Sequence, residues 1–133
     1  MNRNRSWSFL RLVLAVDAFS SAAMGLALVS ASGLLAPWTS LPAPLLFESG
    51  LVLIPFAVLV GFLAIREEPW RAGVWIVIAL NAFWTLTSIA LLFTSWITPN
   101  LLGSIFIAAQ AAAVGVFAEL EYVGLRRARV LAA

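Results

Sequence analysis

The feature that most constrains this chain is the stretch Ala72 to Thr94, AGVWIVIALNAFWTLTSIALLFT, which runs 23 residues without a charge and carries Asn81 near its middle. At about 1.5 Å rise per residue, a helix of that length crosses a hydrocarbon core of ~30 Å. Lipid offers no water to an open backbone, so a spanning segment must satisfy its own hydrogen bonds, and a helix does so within the segment. Three other segments match this one in length and polarity. The expectation is an all-α, integral membrane four-helix bundle forming a single domain over residues 1–133, with spans near 12–35, 45–65, 72–94 and 100–123. Composition supports it: 63% of residues are hydrophobic and the mean hydropathy is +1.04, against ~45–50% apolar residues in soluble domains. A core this small could not hide that much apolar surface. Arginines followed by an apolar run also resemble a signal peptide, but the run exceeds the usual h-region and Asp17 interrupts it.

Charge placement predicts the orientation. All eight basic residues are Arg, and they fall in three clusters: Arg3, Arg5 and Arg11; Arg66 and Arg71; Arg126, Arg127 and Arg129. The connections at 36–49 and 95–100 contain none. Basic residues gather beside the cytoplasmic ends of spans, so both termini are expected in the cytoplasm and the bundle runs up-down-up-down. Trp7, Trp38, Trp70, Trp75, Trp96 and Tyr122 lie near span ends and suit an interfacial belt. Pro37, Pro42 and Pro44 predict an irregular external connection over Ala36 to Ser49, and Pro55 a kink in the second span. The six-residue linker REEPWR, Arg66 to Arg71, predicts that the second and third spans are antiparallel neighbours. Arginine forms no stripe interleaved with aromatics, so nucleic acid is not an expected partner.

Absences exclude much chemistry. The chain has no Cys, no His and no Lys. That removes thiolate nucleophiles, the usual general base, the commonest metal ligands and any Schiff base. No phosphate-binding or metalloprotease motif occurs. No catalytic residue, metal site or cofactor is expected, because the remaining acid–base groups are carboxylates near one leaflet and Tyr122.

Function must then lie with polar residues at membrane depth, where an ionisable group costs at least ~2.5 kcal/mol. Asp17 lies six residues past Arg11, roughly 9 Å in by helical rise, and shares a face with Ser20, Ser21 and Met24. It reads as a proton or cation site, or as a carboxylate paired with a nearby Arg. Glu119 and Glu121 reach similar depth on different faces, so only one can be buried. Beside Asp17 that one would share a proton-binding site; otherwise both extend to the interface and pair with Arg126, Arg127 or Arg129. Asn81, Thr85 and Ser88 form a stripe with Trp84 beside it, and Gln110 sits near the centre of the fourth span. These five are candidate ligand-binding residues. The competing expectation is an Asn81–Gln110 hydrogen bond that joins two helices. Glu48 is expected to cap the second helix. The small pairs Ser21-x3-Gly25 and Ala111-x3-Gly115 permit close helix approach, and Ala108 to Ala113 reads as a packing face.

The Arg clusters, the NAFW stretch at Asn81 to Trp84 and the YVGLRR end at Tyr122 to Arg127 resemble small four-helix bacterial inner-membrane proteins, DoxX-like at the level of topology. The resemblance implies a fold and an inner-membrane, multi-pass location. It implies no reaction. Two functions are expected. One is a non-enzymatic accessory subunit or binder of a lipid or apolar small molecule in the bundle interior. The other is a small oligomeric proton-coupled transporter or channel subunit using Asp17. The expected partners are the lipid bilayer, such a molecule, and a second copy or a larger membrane complex.

Overall fold

The computed structural model describes the backbone of residues 2–132 and the side chains of residues 7–128. Side chains of Arg3, Arg5 and Arg129 lie outside the described residues. The chain is all-helical, with α1 Asn2–Thr39, α2 Ala43–Ala64, α3 Arg71–Leu92 and α4 Leu101–Ala132. Each helix is long and apolar enough to cross a membrane.

α1 is longer than the expected span at both ends. The basic lead is its first turns, and Trp7 is buried against Leu10, Leu63 and Val74 instead of joining the interfacial belt. Near its other end α1 bends at Ala31, where φ is −124° and ψ is 17°. One residue earlier Ser30 returns its hydroxyl to the Leu26 carbonyl at 2.6 Å, a bond that favours bending. The helix then continues through Pro37 to Thr39, so the connection expected over 36–49 shrinks to Ser40, Leu41 and Pro42. Ser40 takes the left-handed conformation at φ 56°, and the Thr39 hydroxyl accepts the Leu41 N–H at 3.3 Å. α2 starts behind Pro42 with Pro44 in its first turn, where missing N–H groups cost nothing. Glu48 is exposed in the second turn and does not cap the helix. α2 carries Pro55 without interruption.

In lipid, burying a leucine gains little over leaving it in the acyl chains, so close packing and hydrogen bonds hold the helices together. α1 packs along α2 and α4, and α3 packs along α4, whereas α2 and α3 touch little. The short linker makes α2 and α3 meet at its own end, where Leu63 lies against Gly73. Beyond that they diverge, so they are not the neighbours the linker length predicts. α1 and α2 cross at Gly25 and Gly50. A Cβ on Gly50 would stand 2.7 Å from the Gly25 carbonyl oxygen. α4 is joined to α1 by Asn100, whose Oδ1 accepts the Gly103 N–H at 2.8 Å as an N-cap. Its amide donates to the Trp38 carbonyl at 2.8 Å and its backbone N–H to Thr39 at 3.1 Å. Gly103 has no space for a side chain because the Thr39 carbonyl lies against its Cα.

Two apolar clusters result. One joins Trp7, Leu10, Leu14, Val60, Leu63, Val77 and Leu125; the other joins Leu28, Leu41, Leu46, Ile97 and Ile107. The polar residues of interest lie between them along the bundle.

Candidate functional site

Three helices each deliver one polar side chain to a single buried point. Asp17 of α1 is 1% exposed, Asn81 of α3 is 3% exposed and Glu121 of α4 is fully buried. Asn81 donates from Nδ2 to Asp17 Oδ2 at 2.8 Å and to Glu121 Oε1 at 2.7 Å. Ser21, one turn along α1, donates to Asp17 Oδ1 at 3.1 Å. Asn81 Nδ2 thus bridges the two carboxyl groups. Glu121 Oε2 is buried without a hydrogen-bond partner among the described residues. The four carboxyl oxygens thus meet three protein donors.

Two sequence expectations are corrected by this geometry. Asn81 does not bond Gln110: Gln110 Oε1 accepts from Trp84 Nε1 at 2.8 Å, and Gln110 Nε2 donates to the Ile107 carbonyl at 3.0 Å. Glu121 does not extend to the interface to pair with Arg126 or Arg127, whereas Glu119 is exposed and stands apart from Asp17. Asn81 turns to the carboxyl groups because its Nδ2 bonds both, which sets Glu121 at the level of Asp17 and Asn81; α4 continues past Glu121 to Ala132.

Two grooves flank the trio. One opens between α1 and α4, has a volume of about 430 Å³, and includes Asp17, Ser20, Met24, Phe106, Gln110 and Phe117 in its wall. The other opens where α2 and α3 diverge, has a volume of about 480 Å³, and includes Pro55, Phe56, Leu80, Asn81 and Phe83. Ser21, Leu53, Trp84 and Val114 line both. Trp84 is held there by its bond to Gln110. Thr85 turns its hydroxyl to the Ala111 carbonyl at 3.2 Å and packs on Gly115, so it joins α3 to α4 and lines neither groove. Ser88 lies farther along, in a cleft of about 80 Å³ with Met24 and Gln110. Of the Ala108–Ala113 run only Ala111 is buried. Ala109 and Ala113 border the α1–α4 groove, where their small side chains leave room.

Sequence reasoning named Asp17, Asn81, Trp84, Gln110 and Glu121 but missed Leu53 and Phe106 as wall residues. Phe106 precedes Gln110 by four positions on the same face of α4, and that spacing could have found it. Leu53 carries no such signal.

Searches against protein-family models, curated proteins and solved structures find no match to this chain.

Proposed function

We propose that this chain is a non-enzymatic membrane protein that holds a lipid-like or other apolar small molecule between its helices, alone or as an accessory subunit of a larger complex. One observation carries the reading: two apolar grooves of about 430 and 480 Å³ share Ser21, Leu53, Trp84 and Val114, with a few polar side chains such as Asp17, Asn81 and Gln110 among apolar ones. Small-molecule sites have this character, mostly apolar walls with a few placed polar groups. Grooves between helices also let a molecule arrive sideways from lipid.

The proposed setting is a bacterial inner membrane, of the kind a DoxX-like resemblance implies, with an up-down-up-down bundle whose Arg placement argues for both termini in the cytoplasm. Support comes from one end of the bundle. Arg11 donates to the α2 C-terminal carbonyl of Ala64 at 3.1 Å, and Arg71 lies 5.4 Å from the centre of the Trp7 ring. Arg66 covers Phe62 and Arg127 covers Phe9, at 5.1 and 5.4 Å. The turns at 40–42 and 93–100 have no Arg. A second reading, an oligomeric proton-coupled transporter or channel subunit, is favoured by the buried Asp17–Glu121 pair.

Native mass spectrometry of protein released from mild detergent tests the binder. A defined small molecule should accompany the wild type and be depleted in Trp84→Ala while the bundle stays folded. Unchanged ligand content in a folded Trp84→Ala would remove the basis of the proposal.

A further inference from the structure

Arg11 lies within the apolar stretch of α1, one turn past its start at Trp7. It is half-buried, and a full charge inside a span is costly unless something offsets it. Among the described residues its hydrogen-bond partner is neutral: Nε donates to the Ala64 carbonyl at 3.1 Å, at the C-terminus of α2. That bond uses one of five N–H donors and does not involve the paired N–H groups at the end of the guanidinium.

Arg71 opens α3 at the same corner. Trp7 and Arg11 stand one turn apart on one face of α1, and the Arg71 guanidinium carbon lies 5.4 Å from the centre of the Trp7 ring. Trp7 in turn packs with Leu63, the residue before Ala64. Both arginines are thus held at the junction of α1, α2 and α3, where the apolar stretches of these helices end. Arg71 is also half-buried, and the Trp7 face it covers carries no charge. At this end of the bundle Arg11, Arg66, Arg71, Arg126 and Arg127 are set against two linker acids, Glu67 and Glu68, so the surplus is positive.

We infer that Arg11 and Arg71 together hold the phosphate of an anionic phospholipid at this junction, a site separate from the two grooves. A phosphodiester presents two oxygens in the spacing that the end of a guanidinium matches. Basic sites between spans, at the level where hydrocarbon gives way to head groups, suit such heads because charge and chains are satisfied together. An acidic protein segment would meet the exposed Arg66 and Arg126 first. Arg11 lies about 6 Å inside the apolar stretch by helical rise, a depth that a lipid phosphate reaches with its own chains beneath it.

The test adds dioleoylphosphatidylglycerol or dioleoylphosphatidylcholine, alike in chains and different in head, to the purified full chain in mild detergent. Native mass spectrometry reads the lipid retained. Expected is a preference for the anionic lipid of at least about tenfold, from about fivefold per arginine. Arg71→Gln, which leaves the Arg11–Ala64 bond in place, should lower that preference about fivefold. Combining it with Arg11→Gln should abolish the preference, whereas Arg126→Gln, exposed and outside the junction, should keep it. Equal retention of the two lipids by the wild type overturns the inference, as does a preference that survives the double substitution or falls by as much in Arg126→Gln. Inorganic phosphate in excess should not displace the lipid; displacement would make this a site for free phosphate and overturn the assignment.

Discussion

Asn81 does what few side chains can do in a membrane: both hydrogens of its Nδ2 are spent on carboxyl groups from two other helices. Such bonds to charged acceptors contribute roughly 1.5–3 kcal/mol each. Asn81→Leu should therefore lower the stability of the bundle by about 2–4 kcal/mol, since one carboxyl keeps part of its partners. Asn81→Asp should be worse, because a third carboxyl replaces the only donor common to the other two. Unfolding of the purified protein in mixed micelles would measure both. A loss under about 0.5 kcal/mol for Asn81→Leu would mean that the amide is a bystander. Part of this site is legible in the sequence: Asp17, Asn81 and Glu121 stand out as polar residues in apolar helices, and Ser21 follows Asp17 by one turn. Their convergence is not legible, because helical spacing fixes relations within a helix and none between helices.

At the scale of the helix, two glycines make opposite predictions. Gly50 faces the α1 backbone, and a Cβ there would stand 2.7 Å from the Gly25 oxygen and 2.9 Å from Leu28 Cβ. Gly50→Ala should cost roughly 1–3 kcal/mol by forcing α1 and α2 apart. Gly33 meets nothing within 4 Å, so Gly33→Ala should gain about 0.5–1 kcal/mol through helix propensity alone. Melting temperatures in one detergent would test the pair, and a matching sign for both would refute the crossing described here. The sequence marks Gly25 through its Ser21-x3-Gly25 spacing but leaves its partner Gly50 unmarked. It also overstates the power of proline. Pro37 lies within α1 and Pro55 within α2, because a helix in lipid has no better way to satisfy its backbone and tolerates one lost bond.

Across the whole molecule, the arginine-rich end and the arginine-free turns predict which surfaces face the cytoplasm. The chain has no cysteine, so single cysteines report cleanly. In intact cells Ser40→Cys should react with an impermeant maleimide, and Glu67→Cys should react only after the membrane is opened. The reverse pattern would invert the proposed orientation.

The sequence by itself determined that there are four membrane-length helices, since apolar length is a local property that lipid thickness reads directly. It also determined which residues carry polarity. Tertiary structure alone decided that α2 and α3 diverge to leave a groove, that Trp7 is buried, and that Asn81 meets Asp17 and Glu121 instead of Gln110. The physical reason is the solvent. In water a polar face marks the outside of a helix, but in lipid both the outside and the interior are apolar. The rotation of each helix is then set by packing and by the few buried hydrogen bonds, which exist only once the helices have met.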